Sequence, residues 1–253
     1  MIKVIITAAC ICCLCGLPAS KSIAQSDTRI QVVTEFLAPY QLRDPAGKVY
    51  GFAPEVVDRL FALSGYQQQR QALPWARAYE SALTGHNIMI FSIARTAHRE
   101  DKFHWIGSLS TERLHFWGLA ARFNQKLNSM EELHKFQIAI SLGTNPEQYL
   151  TAIQHPKLYR VADAETSLAM LLNNRTDLII GSDVEFAERV RKFGRNIEEF
   201  YPVFEIDDLN SNLSIAFSLD TDPDILRRFR RAYKKLAEEG ELQKLRDKWS
   251  IPE

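Results

Sequence analysis

Arg95, Thr96 and Arg99 follow an apolar run within the segment 91–105, FSIARTAHREDKFHW. The run Ile88, Met89, Ile90, Phe91 reads as a buried strand, and Thr96 stands where the N-cap of a following helix belongs. Arg99 falls three residues later, in the first turn, where the helix dipole disfavours a cation. Two guanidinium groups and a hydroxyl at a strand exit make a candidate anion-binding corner, because guanidinium forks onto a carboxylate or phosphate. The competing reading is a surface ion pair of Arg99 with Glu100 or Asp101, which is common and weakly informative.

A second candidate comes from Thr144, which heads Asn145-Pro146-Glu147. That triplet supplies an N-cap, an N1 proline and an early acid, so it opens a helix. Backbone N–H groups at such a start attract anions. Other chemistries find no support. The six histidines (86, 98, 104, 115, 134, 155) contain no His-x-x-x-His pair, and no metal is expected. No Gly-x-Ser-x-Gly or glycine-rich phosphate loop occurs, and no cofactor is expected. Six cations between Arg227 and Lys235 are interrupted by Phe229, Ala232 and Tyr233, the pattern of a solvated helix face. With 31 basic against 31 acidic residues, a nucleic-acid partner is not expected.

The N-terminus bears on compartment. Lys3 precedes an apolar stretch from Val4 to Leu17, then Pro18 and the small-residue site Ser22-Ile23-Ala24. This is the n-region, h-region and cleavage pattern of a secretory signal peptide over 1–24, too short for a membrane span. All four cysteines (Cys10, Cys12, Cys13, Cys15) lie inside it. Thr7-Ala8-Ala9-Cys10 only approaches a lipoprotein signal, so the cysteines read as apolar filler and not as disulfides or zinc ligands. The expected mature protein is exported, periplasmic and monomeric.

Strands and helices alternate through the rest. A strand over 30–34, a helix opened by Pro54 with Val56, Val57, Leu60 and Phe61 on one face, and a helix over 75–83 precede the strand at Ile88. An apolar segment follows over 114–120, then Ser129-Met130-Glu131-Glu132 in the form of a capping box. Strands over 137–141, 158–161 and 177–181 flank a helix over 164–173. Asp222-Pro223 begins a long amphipathic helix, and Gly240 separates it from a last turn ending at Trp249. Such alternation implies sheets covered on both faces, the α/β class.

In order, Gly51-Phe52-Ala53-Pro54-Glu55-Val56-Val57, Leu73-Pro74-Trp75, Thr96-Ala97-His98-Arg99 with Phe103-His104-Trp105, Gly143-Thr144, and Gly240-Glu241-Leu242 with Lys248-Trp249 resemble the motifs of periplasmic solute-binding proteins of the polar amino-acid type, family 3. The resemblance covers essentially the whole mature chain. It implies a two-lobe periplasmic-binding-protein type II fold with the ligand cleft between lobes. Lobe 1 would be 25–114 plus 210–253 and lobe 2 would be 115–209. By the same resemblance Thr96 and Arg99 hold a ligand carboxylate, Thr144 meets it from the second lobe, and Trp75, Tyr40 and Glu35 face the ligand. Trp75 as core and Glu35 as a solvated strand-end acid remain open. Arg77 and Arg95 are extra cations near the corner, suited to a further negative group or to the surface.

Two departures are visible. Family members carry Thr-Pro-Glu-Arg where this chain has Thr96-Ala97-His98-Arg99. The aspartate that holds an α-amino group, five residues after the aspartate of Arg-x-Asp, is replaced by Ser182, with Asp183 one step later. A one-residue slip at a strand end turns a side chain to the other face, so Asp183 is either a ligand contact or a helix cap. The function expected is capture of a small polar, carboxylate-bearing solute, an amino acid or relative, by hinge closure for an ABC-type transporter or a sensor, without catalysis. The alternative is a cyclohexadienyl-dehydratase-like enzyme on the same fold, with Glu35 or Asp183 transferring a proton.

Overall fold

A computed structural model describes residues 29–251, and the expected signal peptide with its cysteines lies outside the described residues. The chain runs β1 (Arg29–Thr34), β2 (Leu42–Arg43), β3 (Val49–Tyr50), α1 (Phe52–Ser64), β4 (Gln67–Ala72), α2 (Trp75–Thr84), β5 (Ile88–Ala94) and β6 (Phe103–Glu112). It continues with β7 (Leu114–Leu119), α3 (Met130–Leu133), β8 (Ile138–Ser141), α4 (Asn145–Ala152), β9 (Leu158–Val161), α5 (Ala164–Leu172), β10 (Leu178–Ser182), α6 (Asp183–Lys192) and β11 (Phe200–Glu205). It ends with β12 (Ser211–Ser218), α7 (Pro223–Glu238) and α8 (Glu241–Trp249).

Two five-stranded sheets form two lobes, ordered β4-β1-β5-β12-β6 and β11-β7-β10-β8-β9. In the first, β1 pairs parallel with β4 and β5, while β12 runs antiparallel to β5 and β6. In the second, β8 pairs parallel with β10 and β9, while β7 runs antiparallel to β10 and β11. Parallel neighbours end at the same edge of a sheet, and ligand sites form outside such carboxyl ends. Thr34 and Ala94 end strands there in one lobe, Ser141 and Ser182 in the other.

Both faces of each sheet are covered, because strand side chains alternate and each face must bury its apolar half. On lobe 1, α1, α7 and α8 pack one face around Phe229, whose ring meets Phe61 at 4.9 Å and Phe217 at 5.1 Å. The opposite face receives Ala78, Tyr79 and Ala82 of α2 over Val33, Ile90 and Ala216. On lobe 2, Leu178 and Ile180 pack with Leu133 and Leu150, while Ile179 between them packs with Leu168, Phe186 and Val190. Each buried Val, Leu, Ile or Phe among them contributes about 1.5–3 kcal/mol before the entropy of folding is set against it.

Only Arg113 separates β6 from β7, so the chain changes lobe there, and it returns between Glu205 and Ser211. The two crossings are stitched together, Leu114 N–H donating to Asn210 Oδ1 at 3.0 Å and Ile206 N–H to the Leu114 carbonyl at 3.1 Å.

Local sequence signals are corrected at several ends. The helix expected at Thr96 is a 3-10 turn, Ala97–Arg99, because β6 begins at Phe103. The α4 cap is Thr144, one residue before Asn145; its Oγ1 accepts from Glu147 N–H and donates to the Ser141 carbonyl. Ser129 caps α3 without a side-chain hydrogen bond to the helix backbone, and Glu132 reaches Asn128 N–H instead.

Candidate functional site

The carboxyl ends of the two sheets face one cavity of about 690 Å³. One end of it is built from α2, the 3-10 turn and the start of α4. Trp75, the first residue of α2, donates from its indole Nε1 to the Gly143 carbonyl at 2.8 Å. Arg99 donates to the same oxygen through Nη2 at 3.0 Å and to the Ala94 carbonyl through Nη1 at 3.4 Å. Both donors come from lobe 1 and their shared acceptor from lobe 2.

Gly143 is suited to that position because its φ of +73° is left-handed, a conformation glycine takes without a Cβ penalty. The Arg99 guanidinium lies 4.8 Å from the Tyr79 ring centre and 5.8 Å from that of Trp75, a cation held between aromatic faces. It is only 1% exposed, and its Nε has no hydrogen-bond partner among the described residues. Burial lowers its pKa to about 10, Tyr79 opposing the fall, so it stays charged at neutral pH. Beside it Asn145, 9% exposed, lines the cavity with its Nδ2 unpartnered. Unpaired buried donors are costly, so this end is poised for an acceptor such as a carboxylate.

The other end is acidic. Glu35 follows β1, Glu112 ends β6 at the crossing, Asp163 caps α5 with Glu165 two residues on, and Glu185 and Arg189 lie on α6; all line the cavity. Arg189 and Glu185 form a buried pair four residues apart. Glu112 accepts from Ser182 Oγ at 2.8 Å and bonds Tyr40. Burial and the neighbouring Glu165, Glu112 and Asp163 push Glu35 up to about 8, against the pull of Arg189. Burial also raises Glu112 and lowers Arg189 to about 10.

Different groups act on the two cavity arginines. Tyr79 acts on Arg99, whereas Glu165, Glu35, Glu112 and Asp163 act on Arg189. Beneath them Ser92 donates to Gln41 Oε1 at 2.8 Å, and Gln41 Nε2 donates to Thr34 Oγ1 at 3.1 Å. Ser92 has φ of +59° within β5, a left-handed residue costing about 1–3 kcal/mol that this buried network holds in place.

Of the residues singled out from sequence, Glu35, Trp75, Arg99 and Thr144 line the cavity. Five others are placed elsewhere. Tyr40 is buried in the lobe 1 core behind Glu112. Thr96 has its hydroxyl buried without a partner, outside the lining. Arg77 is exposed on α2. Arg95, and not Arg99, makes the surface pair, forking onto Glu100 at 2.5 and 2.8 Å. Asp183 is the first residue of α6 behind the cap Ser182; its side chain is 60% exposed and meets His115 Nδ1 at 3.1 Å. The strand-end slip turns it from the cavity, and Ser182 faces Glu112 instead.

Glu112, Glu165, Glu185 and Arg189 were not legible as site residues. They meet only through topology, coming from three separate elements. One signal did exist: Glu185, Phe186, Arg189 and Val190 share a buried helix face, so an ionic pair at i, i+4 beside apolar residues marks an inward ion pair. Among the described residues, no cluster of histidine, cysteine or acid is placed to hold a metal ion, and no helix is long and apolar enough to cross a membrane.

Solved structures of similar fold include a histidine kinase sensor domain with similarity to periplasmic binding proteins (17% identity, TM-score 0.78, covering 89% of this chain and 97% of that one). An ancestral arginine-binding protein bound to arginine is similar at 16% identity and TM-score 0.75, over 88% of this chain and 98% of that one. The substrate binding protein of an amino acid ABC transporter matches at 19% identity and TM-score 0.72, over 87% and 98%. A search of curated proteins finds no match. Residues 30–252 match the profile of the bacterial extracellular solute-binding proteins, family 3, and the chain belongs to that family.

Proposed function

We propose that this is an exported protein that captures a small amino-acid-like solute between its lobes and presents it to a membrane transporter or sensor. The observation that carries this reading is the cavity shared by both lobes, with Trp75 and Arg99 of one lobe bonded to Gly143 of the other. A carboxylate is received by Arg99 and Asn145 at the start of α4, where Thr144 fixes the helix end and backbone dipoles favour an anion. An amino group is received at the acidic end by Glu35 and Glu112, the incoming ammonium favouring their ionised forms. Contacts to both lobes stabilise the closed form over the open one, and that difference is the closing force. The neighbours named as an arginine-binding protein, an amino acid transporter's binding protein and a kinase sensor domain are compatible with either kind of partner.

One observation favours a second reading. Glu35, with a pKa of about 8 inside the cavity, is poised near neutrality as a proton-transfer group would be. The same shift follows simply from burial among other acids.

Native mass spectrometry of protein purified from the periplasm, followed by denaturation, identifies what the cavity carries. A released amino acid or small peptide supports binding. Turnover of prephenate or arogenate that disappears in Glu35→Gln replaces the binding reading with catalysis.

A further inference from the structure

We propose that His115 is a positioning residue that ties the start of α6 to both crossings, so that solute is held more tightly below neutral pH than above it. The inference rests on the solute-binding reading and adds a control to it.

His115 is the second residue of β7, one step past the crossing, and lies opposite Gly181 of β10, which lines the cavity. Its Nδ1 stands 3.1 Å from Asp183 Oδ1 at the start of α6, and its Nε2 stands 3.4 Å from Glu205 Oε2 at the end of β11. The other Glu205 oxygen accepts from Asn210 Nδ2 at 3.3 Å, and Asn210 Oδ1 accepts from Leu114 N–H. One line of contacts thus runs from α6 through His115 to both crossings. On the lobe 1 side of the first crossing, Glu112 accepts from Ser182 Oγ. Consecutive residues at the start of α6, Ser182 and Asp183, are therefore gripped from either side of Arg113 and Leu114. Glu185 and Arg189 of the same helix line the cavity, so the grip on α6 bears on the site.

Charge decides how firm that grip is. The His115 side chain is 10% exposed, and the charged groups set against it are Asp183 from α6 and Glu205 from β11, with Arg113 of the crossing acting on Glu205. The hydrogen bond from Asn210, with the charges of His115 and Arg113, holds Glu205 below the ordinary carboxylate range. An imidazolium donates from both nitrogens, whereas a neutral imidazole keeps one N–H and turns a lone pair on the other acid. Asp183 lies at ion-pair distance, yet Nδ1 makes no hydrogen bond among the described residues, so this contact depends on charge more than on a shared proton. Histidine changes charge between about pH 5 and 8. With its charge His115 attracts both acids; without it, one of them faces a lone pair and the start of α6 is released from the crossings.

The test begins with the full mature chain, screened by thermal shift against the proteinogenic L-amino acids to find the one that stabilises it most. Calorimetry with that amino acid compares wild type with His115→Gln, which keeps an amide donor, and with Asp183→Asn, at an exposed side chain. Ionisation of Glu35 also moves affinity with pH, in all three proteins alike, so the quantity read is the ratio of wild-type to variant affinity. That ratio should be at least about 5 near pH 6, the low end of coupling between sites in one protein, and should approach about 1 near pH 8, where histidine is neutral. A ratio constant with pH, or rising with it, overturns the proposal and leaves solute binding standing. Hydrogen exchange of amides 186–190 in the ligand-free protein needs no solute. Corrected for intrinsic exchange, their protection should fall over the same pH range in wild type and stay level in both variants. Level protection in wild type overturns the proposal by itself. If no amino acid stabilises the protein, the solute-binding reading fails, and exchange alone decides whether His115 braces α6.

Discussion

At residue scale Arg99 serves two lobes at once. It stacks on Tyr79, donates to the Ala94 carbonyl within its own lobe, and donates to Gly143 across the cleft. A group waiting only for ligand would be exposed, and its loss would leave the free protein unchanged. Arg99 is buried, so Arg99→Ala should lower ligand-free stability by about 2–4 kcal/mol, from the void and the lost partners, and also abolish carboxylate binding. Chemical denaturation of the free protein checks the first effect; an unchanged midpoint would show that the stacking contributes nothing. Glu35 makes a separate prediction with a definite sign. Its folded pKa of about 8 lies above the ordinary 4.5, so the folded state holds a proton between those values that the unfolded state has released. Stability from this group is therefore fully present below about pH 4.5, falls as pH rises toward 8, and levels off above. The slope is at most about 1.4 kcal/mol per pH unit. Glu35→Gln should flatten that decline, and parallel wild-type and variant curves across the window would contradict the raised pKa.

At the scale of elements, the start of α4 joins the fold to the site. Thr144 satisfies Glu147 N–H and the Ser141 carbonyl together, so Thr144→Ala should cost about 1 kcal/mol of stability and weaken carboxylate binding by loosening Asn145. If thermal melts and titrations of this variant match wild type, the cap is dispensable to both. The starts of α5 and α7, the buried strands read over 88–91 and 177–181 and the glycine stops were legible because local chemistry fixes them. Other elements were not. β4, Gln67-Gln68-Gln69-Arg70-Gln71-Ala72, is polar up to its last residue and lies at a sheet edge with half its groups exposed, where a strand needs little apolar pattern. β6 and β12 are long partners of each other whose pairing is interrupted by register shifts, which blur the period of two. At the arginine end of the cavity, Arg99, Trp75 and Thr144 were legible as lining residues, each on a short motif that carries the family resemblance. At the acidic end Glu35 alone was legible, through the family resemblance, since Glu112, Glu165 and Arg189 approach it only once both lobes are built. Asp183 shows the limit of position alone: one residue past the strand end, it caps nothing and faces His115.

For the whole molecule, the question is what holds two lobes together over a solute when, among the described residues, two short crossings join them. Some of that force comes from the ligand and some from protein contacts made across the cleft. Trp75 Nε1 to the Gly143 carbonyl, at 2.8 Å, is such a contact, and separating the lobes must break it. Trp75→Phe keeps an aromatic body in the lobe 1 core beside Val33 and Tyr79 and removes the donor. A hydrogen bond of this kind contributes about 0.5–1.5 kcal/mol, so the closed form should become about 2–12-fold less favoured. Small-angle scattering across a titration of bound solute reads this directly. The radius of gyration should fall to the same final value in both proteins, because saturating ligand still closes the cleft, while the concentration giving half the change should rise in the variant by that factor. Ligand-free melting should shift less than for Arg99→Ala, since the ring remains packed. An unchanged midpoint with a normal final radius would mean that closure draws nothing from this bond, leaving the solute and Arg99 to hold the lobes together.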